Sequence, residues 1–172
     1  VGLIAVLFVA GLYFAYTPTV RELTIEIEKE GEPLRIVMAS DFHLGALSGK
    51  NHLARFVELS NEADPDLVLL SGDIIDDDPK RYIDENMQEE MLKLKSTYGV
   101  YGAVGNHEYY GGKMDAFLEE MKKSNVQMLL DETVLINDAF YLTGREDLTN
   151  ENRLALSELK PNDTDKPWFV IN

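Results

Sequence analysis

The sequence predicts an α/β fold built on a parallel sheet. Three observations carry this. From Leu34 onward, strand-like and helix-like stretches alternate. Runs such as Leu67-Val68-Leu69-Leu70 are apolar without alternation, the pattern of strands buried on both faces. The stretches between them are long enough for crossover helices, which join parallel neighbours. Ahead of this region lies an apolar segment, Val1 to Tyr16.

Val1 to Tyr16 holds no charged residue and predicts a transmembrane anchor that is slightly short of the roughly 20 residues a spanning helix needs. Tyr13 and Tyr16 suit an interfacial aromatic belt, and Thr17-Pro18 ends the helix. A cleaved signal peptide and a buried core helix are the alternatives; no Ala-x-Ala site follows the run. Residues 17–33 predict a linker and a half-buried edge strand, because Leu23, Ile25 and Ile27 alternate with Thr24, Glu26 and Glu28. Gly31-Glu32-Pro33 predicts a turn. Strands are expected at 34–39, 67–70, 100–104, 127–130, 134–136, 140–143 and 168–171. Helices are expected at 51–63, 81–97 and 114–123, with a polar helix over 151–159. Residues 34–172 form one expected α/β domain.

Composition narrows the function. The 172 residues carry 31 Asp and Glu against 16 Lys and Arg, a formal net charge of −15. That excludes a nucleic-acid partner, since affinity for a nucleic-acid backbone comes from cationic side chains. A phosphate-containing substrate stays compatible if bound cations reverse the local field. There is no cysteine, so disulfides and thiolate metal sites are excluded.

Three of the expected strands end in polar clusters: Ser40-Asp41-Phe42-His43, Ser71-Gly72-Asp73 and Gly105-Asn106-His107-Glu108. Ligands of open α/β sheets bind at the carboxyl ends of strands. Asp41 and His43 are two apart, so on an extended segment they face one side and grip one ion together. Asp73, between the other clusters, is the natural bridge between two ions. The set Asp41, His43, Asp73 and Asn106 mixes hard oxygen with imidazole, which suits Mn, Fe or Zn better than Ca. Two such ions about 4 Å apart clamp a phosphoryl group and supply hydroxide at neutral pH. Each residue alone has an ordinary explanation as a cap, turn former or surface group. His52, on a helix without such context, keeps that ordinary reading, and Asp76-Asp77-Asp78 reads as a solvated loop.

The order Asp-x-His, Gly-Asp, Gly-Asn-His-Glu resembles the calcineurin-like metallophosphoesterase superfamily over roughly residues 34–172. The resemblance implies two sheets sandwiched between helices, and two divalent metal ions with Mn as the leading candidate. It places Asp41 and His43 on one ion, Asp73 between both and Asn106 on the second. His107 contacts the phosphate and the leaving oxygen as electrophile or general acid. The apolar start and Leu142-Thr143-Gly144-Arg145-Glu146-Asp147 resemble a membrane-anchored bacterial branch. That branch implies a membrane partner and a lipid-linked substrate such as UDP-diacylglucosamine. Localisation is then single-pass membrane, with the acidic domain leaning towards the extracytoplasmic side. The family pattern also contains a later His and a Gly-His-x-His, absent here, so the domain reads as C-terminally incomplete and the isolated chain is expected to be unstable and inactive. The rival reading is a membrane-tethered binding domain without catalysis.

Overall fold

The structure, a computed structural model, describes residues 2–29, 31–163 and 165–172, and only the backbone of Ala15. Four strands form the first sheet: β1 (Ile36–Ala39), β2 (Leu67–Ser71), β3 (Val100–Ala103) and β4 (Val126–Met128). They lie in the order β1-β2-β3-β4, every pair parallel. The expected apolar run on β2 explains itself here. Val68 and Leu70 enter the core shared with the helices, whereas Leu67 and Leu69 enter the core between the sheets. Successive side chains of a strand point to opposite faces, so a strand with a core on each side needs no polar alternation.

The helical layer is α2 (Lys50–Glu62), α3 (Lys80–Asp84), α4 (Met87–Met91), α5 (Asn106–Tyr110) and α6 (Met114–Lys123). It packs Leu53, Val57, Tyr82, Met87, Phe117 and Met121 against the first sheet. The second sheet holds β5 (Glu132–Ile136), β6 (Phe140–Gly144) and β7 (Trp168–Ile171). β5 and β6 form an antiparallel hairpin, while β6 and β7 are parallel and connected through α7 (Leu156–Leu159). Ile136, Phe140, Leu142 and Ile171 close the core between the sheets against Leu67, Leu69, Ala103 and Leu129. The two-sheet arrangement and flanking helices agree with the sequence expectation.

Several elements differ from it. The helix expected over 81–97 is two five-residue helices, α3 and α4, broken at Asn86, which sits in the left-handed region at φ 50°. Lys50 Nζ donates to the carbonyls of Glu85 and Asn86, both at 3.2 Å, and so holds the chain at the break. Of the polar helix expected over 151–159 only α7 forms. Among the described residues, 21–29 forms no strand, and Leu23, Ile25 and Ile27 are exposed. Its alternating pattern joins neither sheet among the described residues.

The first helix, α1 (Gly2–Tyr16), has 15 residues and is about 22 Å long at 1.5 Å per residue. That falls short of the roughly 30 Å hydrocarbon core. No helix among the described residues is long and apolar enough to cross a membrane. Val1, included in the expected anchor, lies outside the described residues.

Candidate metal centre

The site forms where the loops after β1, β2 and β3 leave the sheet on one side. Backbone bonds lace the first two loops together. Asp41 N donates to Gly72 O at 3.2 Å, and His43 N to Asp73 O at 2.9 Å. Leu44 continues this as a bridge to Ile75. Asp41, His43 and Asp73 all adopt left-handed backbone, at φ 56°, 44° and 50°. The extended geometry expected for Asp41 and His43 is therefore not what orients them. Left-handed backbone at both residues redirects the chain instead.

Gly105 lets the third loop meet the second. A Cβ on Gly105 would lie 2.2 Å from Asp73 Oδ1 and 2.5 Å from Asp73 N, so the loops touch only because no side chain intervenes. The N–H of His107 then donates to Asp73 Oδ1 at 3.0 Å. What sequence reading took for a polar strand end is the short helix α5, which begins at Asn106.

The side chains of His43, Asp73 and His107 offer ligand atoms that all lie within 4.8 Å of one another. The rings of His43 and His107 meet edge to face with centroids 4.4 Å apart. His43 Nε2 is 3.9 Å from Asp73 Oδ2. Asp73 is buried, while His43 and His107 are half-buried. Asp41 is exposed and anchored through its backbone to Gly72, and Asn106 sits half-buried at the start of α5. Sequence-predicted residues thus meet on three adjacent loops. His43, Asp73 and His107 make the closest group, and Asp41 and Asn106 flank it on the same loops.

Three contributors escaped the sequence reading. Asp76 and Asp77 are not a purely solvated run. His107 Nδ1 lies 2.8 Å from Asp77 Oδ1 and 3.5 Å from Asp76 Oδ1, a second group of ligand-type atoms sharing His107. A carboxylate only accepts, so the Nδ1 proton points at Asp77. The loop reaches His107 because Asp77 O packs onto Gly111, where a Cβ would stand 1.5 Å away. The third is Glu108, buried beneath the site. Its carboxylate accepts the N–H groups of Asp73, Gly105 and Ile75 at 3.0, 2.7 and 3.1 Å. Burial pushes its carboxyl above the usual range, opposed by these N–H groups. At sequence level the signal was present but unread: Glu108 closes the quoted Gly-Asn-His-Glu cluster, and Asp76 follows Asp73 by three.

The far side of α5 reaches the second sheet. Tyr109 donates its hydroxyl to Glu146 at 2.8 Å, and the Glu146 N–H donates to Asp131 at 3.0 Å. Burial, then Glu146 itself, pushes the Tyr109 phenol up. The segment after β6 is thereby tied to the helix that carries His107.

Imidazole and carboxylate donors meeting at loop ends above a parallel sheet, with no thiolate, fit hard or borderline divalent ions. This is the donor set of a candidate divalent-metal centre in a carboxylate-rich pocket. The family model for calcineurin-like phosphoesterases matches residues 34–170, and the chain belongs to that family. Among curated relatives, an uncharacterized metallophosphoesterase of Campylobacter jejuni is 35% identical over 118 residues, 69% of this chain and 31% of that protein. A metallophosphoesterase of Helicobacter pylori strain J99 is 32% identical over 167 residues, 90% of this chain and 42% of that protein. A zebrafish protein named as a transmembrane protein with a metallophosphoesterase domain is 36% identical over 129 residues, 73% of this chain and 29% of that protein. The chain therefore spans about a third of the length of these relatives. Relatives from bacteria and a vertebrate match alike, so the expected bacterial branch is not singled out.

Proposed function

We propose that the protein hydrolyses a phosphoester or phosphoanhydride bond at a site holding two divalent metal ions. The observation that carries this reading is the convergence of His43, Asp73 and His107 within 4.8 Å at the ends of adjacent strands. The family match supports the reaction class. Asp41 and His43 would hold one ion, Asn106 the second, and Asp73 both. When bound, the ions supply positive charge for the phosphoryl oxygens and an activated water.

The chain's own residues then do the following. Asp73, held by the N–H of His107, is fixed between the loops. Asp77 and Asp76 orient the His107 ring through Nδ1, which leaves Nε2 for the substrate. As the imidazolium, with Nδ1–H held by Asp77, His107 would give its Nε2 proton to the leaving oxygen as the bond from phosphorus to that oxygen breaks; the water oxygen bonds to phosphorus and its proton passes to solvent. The acidic surroundings, with Asp76, Asp77 and Asp78 on one loop, repel polyanions outside the ion-bearing pocket.

His107 also stands close enough to His43 and Asp73 to ligate an ion itself. Metal analysis of His107→Ala separates the two roles: a proton donor leaves metal content intact, and a ligand takes metal with it. The reaction class is tested with the full-length protein, a chromogenic phosphodiester and added Mn. Turnover abolished by EDTA and restored by Mn is expected. Turnover indifferent to EDTA would refute it.

Membrane association is part of the proposal. α1 is apolar all round, and Leu3, Ile4, Leu7 and Phe8 are exposed. A helix apolar on every face belongs in a protein core or in lipid. The name of the zebrafish relative points the same way. The site gives no support to a lipid-linked substrate such as UDP-diacylglucosamine.

A further inference from the structure

Glu108 is 4% exposed, and its carboxylate collects three backbone N–H groups. Oε2 accepts from Gly105 at 2.7 Å and Asp73 at 3.0 Å, and Oε1 accepts from Ile75 at 3.1 Å. Only the first bond belongs to the helix that carries Glu108. It is half of a capping box, with Glu at the third position reaching back to the residue before the helix, and Gly105 has no side chain to reciprocate. A five-residue helix needs no more than that. The other two bonds reach 35 and 33 residues back in the chain, to the loop that presents Asp73. Ile75 is bridged in turn to Leu44, the neighbour of His43. One carboxylate therefore joins all three loops of the site from beneath.

We infer that Glu108 is a positioning residue: its carboxylate sets the spacing between Asp73 and the loop of Asn106, and through it the affinity of the site for metal. The metal consequence rests on the function proposed above; the tether itself does not. Two oxygens that accept three N–H groups are a demand only a carboxylate meets. In Glu108→Gln the amide oxygen still serves Gly105 and Asp73, but the NH2 group meets the Ile75 N–H donor to donor. The Asp73 loop is then released at one end. In Glu108→Asp the acceptor charge stays but is one methylene short, so it cannot reach both loops at once.

Glu120 provides the control. It is equally buried, lies on α6 and pairs with Lys123 at 2.8 Å, away from the three loops. Mn affinity is measured by titration calorimetry on the full-length native protein, Glu108→Gln, Glu108→Asp and Glu120→Gln, with amide exchange of Asp73 and Ile75 recorded metal-free. Expected for Glu108→Gln is about 10–100-fold weaker Mn binding, the range for groups that hold ligands in place. Asp73 and Ile75 amides should exchange faster, Glu108→Asp should fall between, and Glu120→Gln should bind Mn as the native protein does whatever its melting temperature. Native Mn affinity in folded Glu108→Gln, or in folded Glu108→Asp if the first variant does not fold, would overturn the inference. Equal loss of affinity in Glu120→Gln would also overturn it, by marking the effect as general destabilisation. If the native protein binds no Mn, the metal role falls together with the proposed function. Amide exchange unchanged by Glu108→Gln would overturn the tether itself, so the two failures are told apart.

Discussion

At Gly105 the site tolerates no side chain, because a Cβ would stand 2.2 Å from a carboxylate oxygen of Asp73. Gly105→Ala must push the loops of Asp73 and Asn106 apart. It is expected to cost about 1–3 kcal/mol of stability, the common range for overpacking, and to weaken Mn binding, as read by thermal unfolding and metal titration. His107→Ala is expected to lower turnover by about 10²–10⁴-fold, the range for general acid–base groups, with metal content retained; metal analysis beside the assay checks both. The residues themselves were legible in the sequence because imidazole, carboxylate and glycine recur at three strand ends. Their orientation was not. Asp41 and His43 were expected to share a side by strand alternation, whereas left-handed backbone at φ 56° and 44° directs them. Asp77 was read as solvated because its partner, His107, lies 30 residues away in sequence. A long-range contact of that kind leaves no local pattern.

Among the elements, the strands of the two sheets and α6 were legible because each carries its own apolar run, whereas the alternation over 21–29 misled, since a period alone supplies no partner strand. α6 occupies Met114–Lys123 and β7 Trp168–Ile171, as expected from the sequence. The break between α3 and α4 was not, since it depends on Lys50 from α2 capturing the carbonyls of Glu85 and Asn86. α3 is held against the end of α6 by Tyr82, whose hydroxyl is 2.6 Å from Ser124 Oγ. Burial pushes the Tyr82 phenol up to about 12. Tyrosine in an unfolded chain ionises near 10. The stability contributed by the neutral phenol is complete below about pH 10 and is lost as pH rises from there towards about 12. Tyr82→Phe should therefore flatten the loss of stability over that alkaline window. At neutral pH it should cost about 1 kcal/mol for the hydrogen bond. Denaturant unfolding at a series of pH values reads both; an unchanged alkaline slope would show that Tyr82 does not set it.

The whole molecule places two cores on either face of one parallel sheet and leaves α1 outside both. Tyr16 at the end of α1 donates to Leu47 O at 3.3 Å, on the loop that follows His43 and Leu44. Removing residues 1–16 from the full-length protein should abolish flotation with uncharged phosphatidylcholine vesicles and leave Mn affinity intact. Flotation without α1 would place the membrane contact elsewhere. The doubly buried sheet was readable from runs such as Leu67–Leu70; the second sheet, part hairpin and part parallel, came from family resemblance rather than from pattern. On the proposed function, the three loops above this sheet form one site for two ions with Asp73 between them. Mn titration of the full-length native protein beside Asp73→Asn decides this. Two Mn per chain are expected in the native protein and neither bound tightly in Asp73→Asn, since one carboxylate serves both. Two Mn retained by Asp73→Asn, or none bound by the native protein, would rule out a shared site.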